Sequence, residues 1–227
     1  MVSKITVMQR SPQPAVPRHK NLQRTETAMT IDSNDLLNSI LESLSRIDYI
    51  HQEDIPNIEL YMDQVTTLME TQLSSTKRYQ EDKILTKTMI NNYAKNNLLP
   101  PPVKKKYSKE HVIVLIFIYY FKNILSIKDI ETLLKPMIEK HFQAEDGLSL
   151  TDIYSAVCSS QIDQIAPLKK EFEELFERSA QSFPNAPEDE HAQLEMFSFI
   201  CSLSFDIYIK KMLIEKLLDD WNNNTDK

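Results

Sequence analysis

The sequence predicts an all-α fold, and three observations carry that prediction. The 227 residues contain a single glycine, Gly147. Hairpins and phosphate-cradling loops need several residues at positive φ or with no side chain, so sheet-rich and nucleotide-binding α/β folds lack their signatures here. Apolar residues recur at three- and four-residue intervals along most of the chain, the period of one helix face. Serine stands ahead of apolar runs at Ser126 and Ser149 with aspartate three positions on, which is how a helix start reads. With 41% apolar and 26% charged residues, the composition is that of a globular protein with room for one large or two small domains.

Residues 1–30 have three prolines, scattered charge and no apolar period, and are expected to form a disordered N-terminal arm. Ser33 or Asn34 can cap a first helix, with Leu36, Leu37, Ile40, Leu41 and Leu44 on one stripe. After a turn at 54–57, Leu60, Met62, Val65, Leu68, Met69 and Leu73 predict a helix over about 58–73, and polar residues 74–82 a connector. Leu85, Met89, Ile90 and Tyr93 predict a short helix over 86–96. Ser108 caps the next, through about Asn123. Its apolar run Val112–Phe121 is ten residues, about half of a bilayer span, and reads as a core helix. "LSIKDIETLL" opens another, capped by Ser126 with Leu125 stapled to Ile130. "LSLTDIYSAV" repeats the arrangement with Leu148, Ser149, Asp152 and Ile153. A charged helix over about 166–182 and a long helix over about 187–222 complete the chain. In the last, Ile200, Leu203, Ile207, Ile214, Leu217 and Trp221 keep heptad spacing interrupted by Lys210, a stripe that suits an intramolecular core or a dimer seam.

Net charge is −7, but from Lys83 to Lys109 there are seven lysines and no Asp or Glu. That window is +7, so the rest sums to −14 (−7 minus +7). Three prolines, Pro100 to Pro102, separate the short helix from Lys104, Lys105 and Lys106. Prolines cannot extend a helix and hold φ near −65°, so they are expected to lead the chain away in a stiff extended form that fixes where the lysines stand. On the polar side of helix 86–96, Thr88, Asn91, Asn92 and Lys95 follow helical spacing. Asn91 and Asn92 suit adenine edges, Lys95 guanine or phosphate, and Thr88 phosphate or a thymine methyl.

"NNYAKNNLLPPPVKKKYSKEHV" resembles the DNA-binding region of the MerR family. In that family a second helix with a T-[LI]-R-Y-Y pattern ends at G-L-L-x-P, passes through a basic wing and resumes at R-x-Y-S-x-x-D-[LI]. Counting from Leu98, Tyr93 takes the second tyrosine, Asn92 the first, Asn91 the arginine, Ile90 the aliphatic position and Met89 the threonine; Tyr107, Ser108 and Val112 match the third helix. Residues 55–155, with "LYMDQVT", "LLPPPVKKKYS" and "LSIKDI", are still more similar to the bacterial domain of unknown function numbered 1836, itself regarded as MerR-like. Departures are Asn97 for glycine, Asn91 for arginine, and a stretch from Pro100 to Lys106 several residues short of a full wing hairpin.

The resemblance implies an all-α architecture with a MerR-like winged helix-turn-helix module and a shortened wing over 31–157, followed by a C-terminal helical region over 158–227. With the charge pattern it implies a bacterial transcriptional regulator, a repressor slightly before an activator, that binds double-stranded DNA as a homodimer. The expected contacts are Lys87, Thr88, Asn91, Asn92, Tyr93, Lys95, Lys104, Lys105, Lys106, Tyr107 and Lys109. The rival reading is an adaptor whose lysines meet an acidic partner protein.

His19, His51, His111, His141 and His191 are scattered and read as surface or core-edge residues, so no metal site, cofactor or enzymatic activity is expected. Phe117, Tyr119, Tyr120 and Phe121 are expected to fill the core, and no effector is identified. Cys158 and Cys201, 43 positions apart, read as reduced thiols of a cytoplasmic protein. No membrane association is expected.

Overall fold

The computed structural model describes residues 33–44 and 49–225. Contacts divide the chain into residues 1–31 and 32–227. The first unit, with the expected N-terminal arm, lies outside the described residues. The second is mostly helical: α1 (Ser33–Leu44), α2 (Met62–Gln72), α3 (Lys87–Lys95), α4 (Lys109–Phe121), α5 (Ile127–His141), α6 (Leu150–Ile162), α7 (Ile165–Ala180) and α8 (Glu188–Thr225). Two short strands, β1 (Leu60–Tyr61) and β2 (Lys106–Tyr107), pair antiparallel with Leu60 opposite Tyr107 and Tyr61 opposite Lys106.

α4 is the axis of the core. Val112, Ile113, Val114, Leu115, Ile116 and Ile118 are all buried, so this helix is enclosed on every side, as an apolar run without a polar stripe requires. Each such side chain contributes roughly 1.5–3 kcal/mol by leaving water. Around it pack Val65, Met69 and Leu73 of α2 and its end, Ile90 and Tyr93 of α3, Ile130 and Leu134 of α5, and Leu150 and Tyr154 of α6. The Tyr154 hydroxyl donates to the Ile50 carbonyl at 2.5 Å, tying α6 to the chain 104 positions earlier.

The expected helix over 58–73 loses its first residues to β1. Leu60 and Tyr61 pair with β2 instead, and α2 starts only at Met62, where the Gln64 side chain accepts from the Tyr61 N–H at 2.8 Å. Ser126 and Ser149 cap α5 and α6 as their sequences require, with Ser126 Oγ accepting from the Asp129 N–H at 3.2 Å and Ser149 Oγ from the Asp152 N–H at 3.1 Å. Their hydrophobic staples differ. Leu125 is buried with Ile130, whereas Leu148 is exposed.

α7 and α8 form a hairpin through Phe172 and Phe176, whose rings meet Phe199 edge-on at 4.8 and 5.2 Å. α8 has 38 residues, about 57 Å at 1.5 Å per residue. Its C-terminal half touches α5, and Leu218 enters the main core. The heptad stripe does not become core: Ile200, Ile207, Ile214, Leu217 and Trp221 are exposed, and only Leu203 is half-buried. No described helix is long and apolar enough to cross a membrane.

Candidate nucleic-acid interface

The short helix α3 is built from both ends. Thr86 caps it, its Oγ1 accepting from the Met89 N–H at 3.2 Å. At the other end Asn97 takes φ +58°, which lets the Asn97 N–H reach the Ala94 carbonyl at 3.3 Å and the Leu98 N–H reach the Tyr93 carbonyl at 2.9 Å. This is the left-handed termination in which glycine is usual and asparagine the next choice. Leu98 is buried in the same core as Tyr93, completing the motif's apolar contact.

Between these ends Ile90 and Tyr93 face the core, while Lys87, Thr88, Asn91, Asn92 and Lys95 are exposed. The polar set foreseen on one side of the helix is thus on the surface. Tyr93 and Tyr107 are not: their rings are 7% and 3% exposed, and burial pushes both phenols upward in pKa. They support the surface from beneath and offer nothing to a ligand, because each occupies the inward position of its helix or strand.

The prolines do not lead into an extended lysine strand. After Pro102 the chain closes a two-residue turn, with the Lys106 N–H donating to the Val103 carbonyl at 2.9 Å and a bridge between Val103 and Lys106. Lys104 and Lys105 are its central residues, at φ +50° and +66°. Positive φ at both positions is what a type I′ hairpin turn needs. The stretch from Pro100 to Lys106 is therefore a minimal hairpin whose tip consists of two exposed lysines. Pairing of β2 with β1 holds it in place.

His111 holds the hairpin's base. Its Nδ1 accepts from the Ser108 N–H at 3.0 Å, which puts the ring proton on Nε2, and its ring meets Tyr107 and Phe142 edge-on at 5.5 and 4.8 Å. Nε2 is buried beside the backbone of Pro100 and Pro101 without closing a hydrogen bond. Burial holds this histidine below its usual pKa despite those carbonyls. The expectation of a surface or core-edge residue is corrected here: His111 is fully inside.

Carboxylates from outside the lysine window reach this surface. Asp63 pairs with Lys87, and Glu59 with Lys106 at 3.2 Å, while Lys106 Nζ lies 5.8 Å from the centre of the Tyr61 ring. Glu59 and Asp63 are four residues apart, at most about 14 Å of chain, so the start of α3 and the base of the hairpin flank the same end of α2. The sequence window missed both acids because they precede it by some twenty residues. Among the described residues Lys95, Lys104 and Lys105 have no ion-pair partner, and Lys109 is half-buried. Lys122, also unforeseen, donates to the Ile84 carbonyl at 2.8 Å and lies over the Tyr119 ring, pinning the segment that enters α3.

Of the aromatic cluster, Tyr119 is buried, while Phe117, Tyr120 and Phe121 are half-buried and line an open cleft of about 330 Å³ with Tyr49 and Tyr154. Cys158 borders it, its thiol pushed upward in pKa by burial. Among the described residues no group of three His, Cys, Asp or Glu could hold a metal ion.

No curated protein and no solved structure matches this chain. Over residues 50–157, a little under half its length, the chain matches the family described as Domain of unknown function (DUF1836), and in that segment it is similar to this family.

Proposed function

We propose that this protein is a transcriptional regulator that binds double-stranded DNA through α3 and the adjoining two-lysine hairpin, in the manner of a MerR-like winged helix-turn-helix with a reduced wing. The observation that carries the reading is the outward face of α3, with Thr88, Asn91, Asn92 and Lys95 exposed and Asp63 paired with Lys87 at its start, together with an exposed lysine tip without ion-pair partners among the described residues. Asparagine amides read base edges in a major groove, and unpaired lysines neutralise phosphates. One feature differs from a simple helix-turn-helix: α2 and α3 are joined by fourteen residues (73–86), where three or four are usual. Two-fold operator sites call for a homodimer. Repression is the default over activation, since an occupied site excludes other proteins without further contacts.

Selection of bound fragments from a genomic library, followed by gel retardation across a salt series, tests the reading. Asn92→Ala is expected to lower discrimination between selected and random duplexes, with about 1–3 kcal/mol lost at one base pair. Lys105→Ala is expected to weaken all duplexes alike and flatten the salt slope by about one unit. If no fragment is retarded at low salt, the DNA reading fails and an acidic protein partner for the same lysines takes its place.

A further inference from the structure

We propose that the cleft between the end of α4 and α6 is a binding site for a neutral, flat aromatic molecule of two or three rings. The inference does not rest on the DNA reading. Val112 to Ile116 of α4 are sealed in the core, whereas in its last turns Phe117, Tyr120 and Phe121 stay half-buried around an open space of about 330 Å³. Tyr154 of α6 forms the floor, its ring buried and its hydroxyl already given to the Ile50 carbonyl. Water in such a space meets ring surfaces in place of hydrogen-bonding partners, so an apolar occupant is favoured over it.

The walls state the ligand's chemistry. Four other clefts each carry Asp, Glu, Lys or Arg in their walls, but no charged side chain among the described residues lines this one. An ion entering it would give up hydration and meet no counter-charge, so the ligand is neutral. Phe117 and Phe121, one helical turn apart, lie within 15° of parallel with ring centres 5.9 Å apart, and Tyr154 stands edge-on to Phe117 at 5.6 Å. Rings so set extend to a further ring by offset stacking or edge contact, which a planar aromatic ligand supplies and an aliphatic one does not.

Size and polarity narrow the class. A space of about 330 Å³ is at the small end of ligand pockets, roughly 300–1,000 Å³, and suits a few rings better than a peptide. Gln161, exposed at the rim on α6, offers an amide to one polar group at the ligand's edge. Ile124, in the turn after α4, and Val157 of α6 line opposite elements of the cleft and are 45% and 42% exposed, which makes both accessible to substitution.

The full chain is titrated with N-phenylnaphthylamine, a neutral three-ring fluorophore that brightens on leaving water. The rise is expected to saturate at one probe per chain. Val157→Trp and Ile124→Trp each put a ring into the space and are expected to lose the rise with unchanged far-ultraviolet circular dichroism; either one suffices if the other does not fold. Leu217→Ser, on an exposed side of α8, is expected to keep it. In Cys201→Ser protein the probe is expected to slow modification of Cys158, which borders the cleft, by a neutral dipyridyl disulfide, halving the rate where the fluorescence is half-saturated. No rise, a rise that never saturates, one that persists in a folded cleft variant or one that vanishes in Leu217→Ser overturns the site. A Cys158 rate indifferent to the probe does the same. No arm reads DNA binding, so this proposal and the regulator proposal fail independently.

Discussion

His111 serves three neighbours at once: it accepts from the Ser108 N–H, fills the space between Tyr107 and Phe142, and lies beneath the proline carbonyls. It does so only when neutral. Its folded pKa is depressed below the unfolded value of about 6.5, so the unfolded chain binds the proton more readily. Its stabilising contribution is complete above the unfolded pKa and is lost as pH falls from there through the folded value. Urea midpoints measured from neutral to mildly acidic pH should fall for the wild type and fall less for His111→Gln, whose amide can still accept from Ser108. Equal pH dependence of the two proteins removes His111 from this role. Asn97 makes a second residue-level point. Its left-handed conformation was legible from its place before Leu98-Leu99, and Asn97→Ala should cost about 1–2 kcal/mol in denaturant unfolding while Asn97→Gly costs little. His111 was not legible, since nothing local distinguishes it from four other histidines. Its burial follows from Tyr107 and Phe142, residues brought together by separate elements.

Among elements, the helices that carry their own start signals stood out in the sequence, and those shaped by a distant partner did not. Ser126 and Ser149 name the first turns of α5 and α6 from four residues each. β1 was hidden because Leu60 continues the spacing of Val65 and Met69, and only pairing with β2 makes it a strand. Lys104 and Lys105 carry no turn signature; the hairpin's backbone is imposed by Val103 and by the β1–β2 register. Two predictions belong here. Replacing Lys104-Lys105 by Asn-Gly supplies the residues that a type I′ turn favours, so unfolding stability should hold or rise while DNA affinity falls and the salt slope flattens by about two units. Loss of both stability and affinity would mean that the lysines act through the fold. Leu125→Ala should cost about 2–4 kcal/mol and Leu148→Ala under about 0.5 kcal/mol, although the two local sequences look alike, because only the former side chain is buried.

For the whole molecule, charge is separated more than its sum suggests. A chain of net charge −7 that exposes Lys95, Lys104 and Lys105 should be retained by a phosphate-bearing cation exchanger at neutral pH and low salt. The Asn-Gly variant should elute earlier, and a wild type that flows straight through would place those lysines under an opposing field. The overall all-helical character was readable from glycine scarcity and apolar period. The side on which α8 is covered was not, because a heptad stripe reads the same whether its partner lies in the chain or outside it.

The bond between Tyr154 and Ile50 bears on how the chain enters and leaves this segment. It brings the opening of the family-like stretch up to its final helix, and α1 and α7, which flank that stretch, rest on each other. Because entry and exit lie together, the chain on either side continues without stretching, and α8 returns to the same core through Leu218.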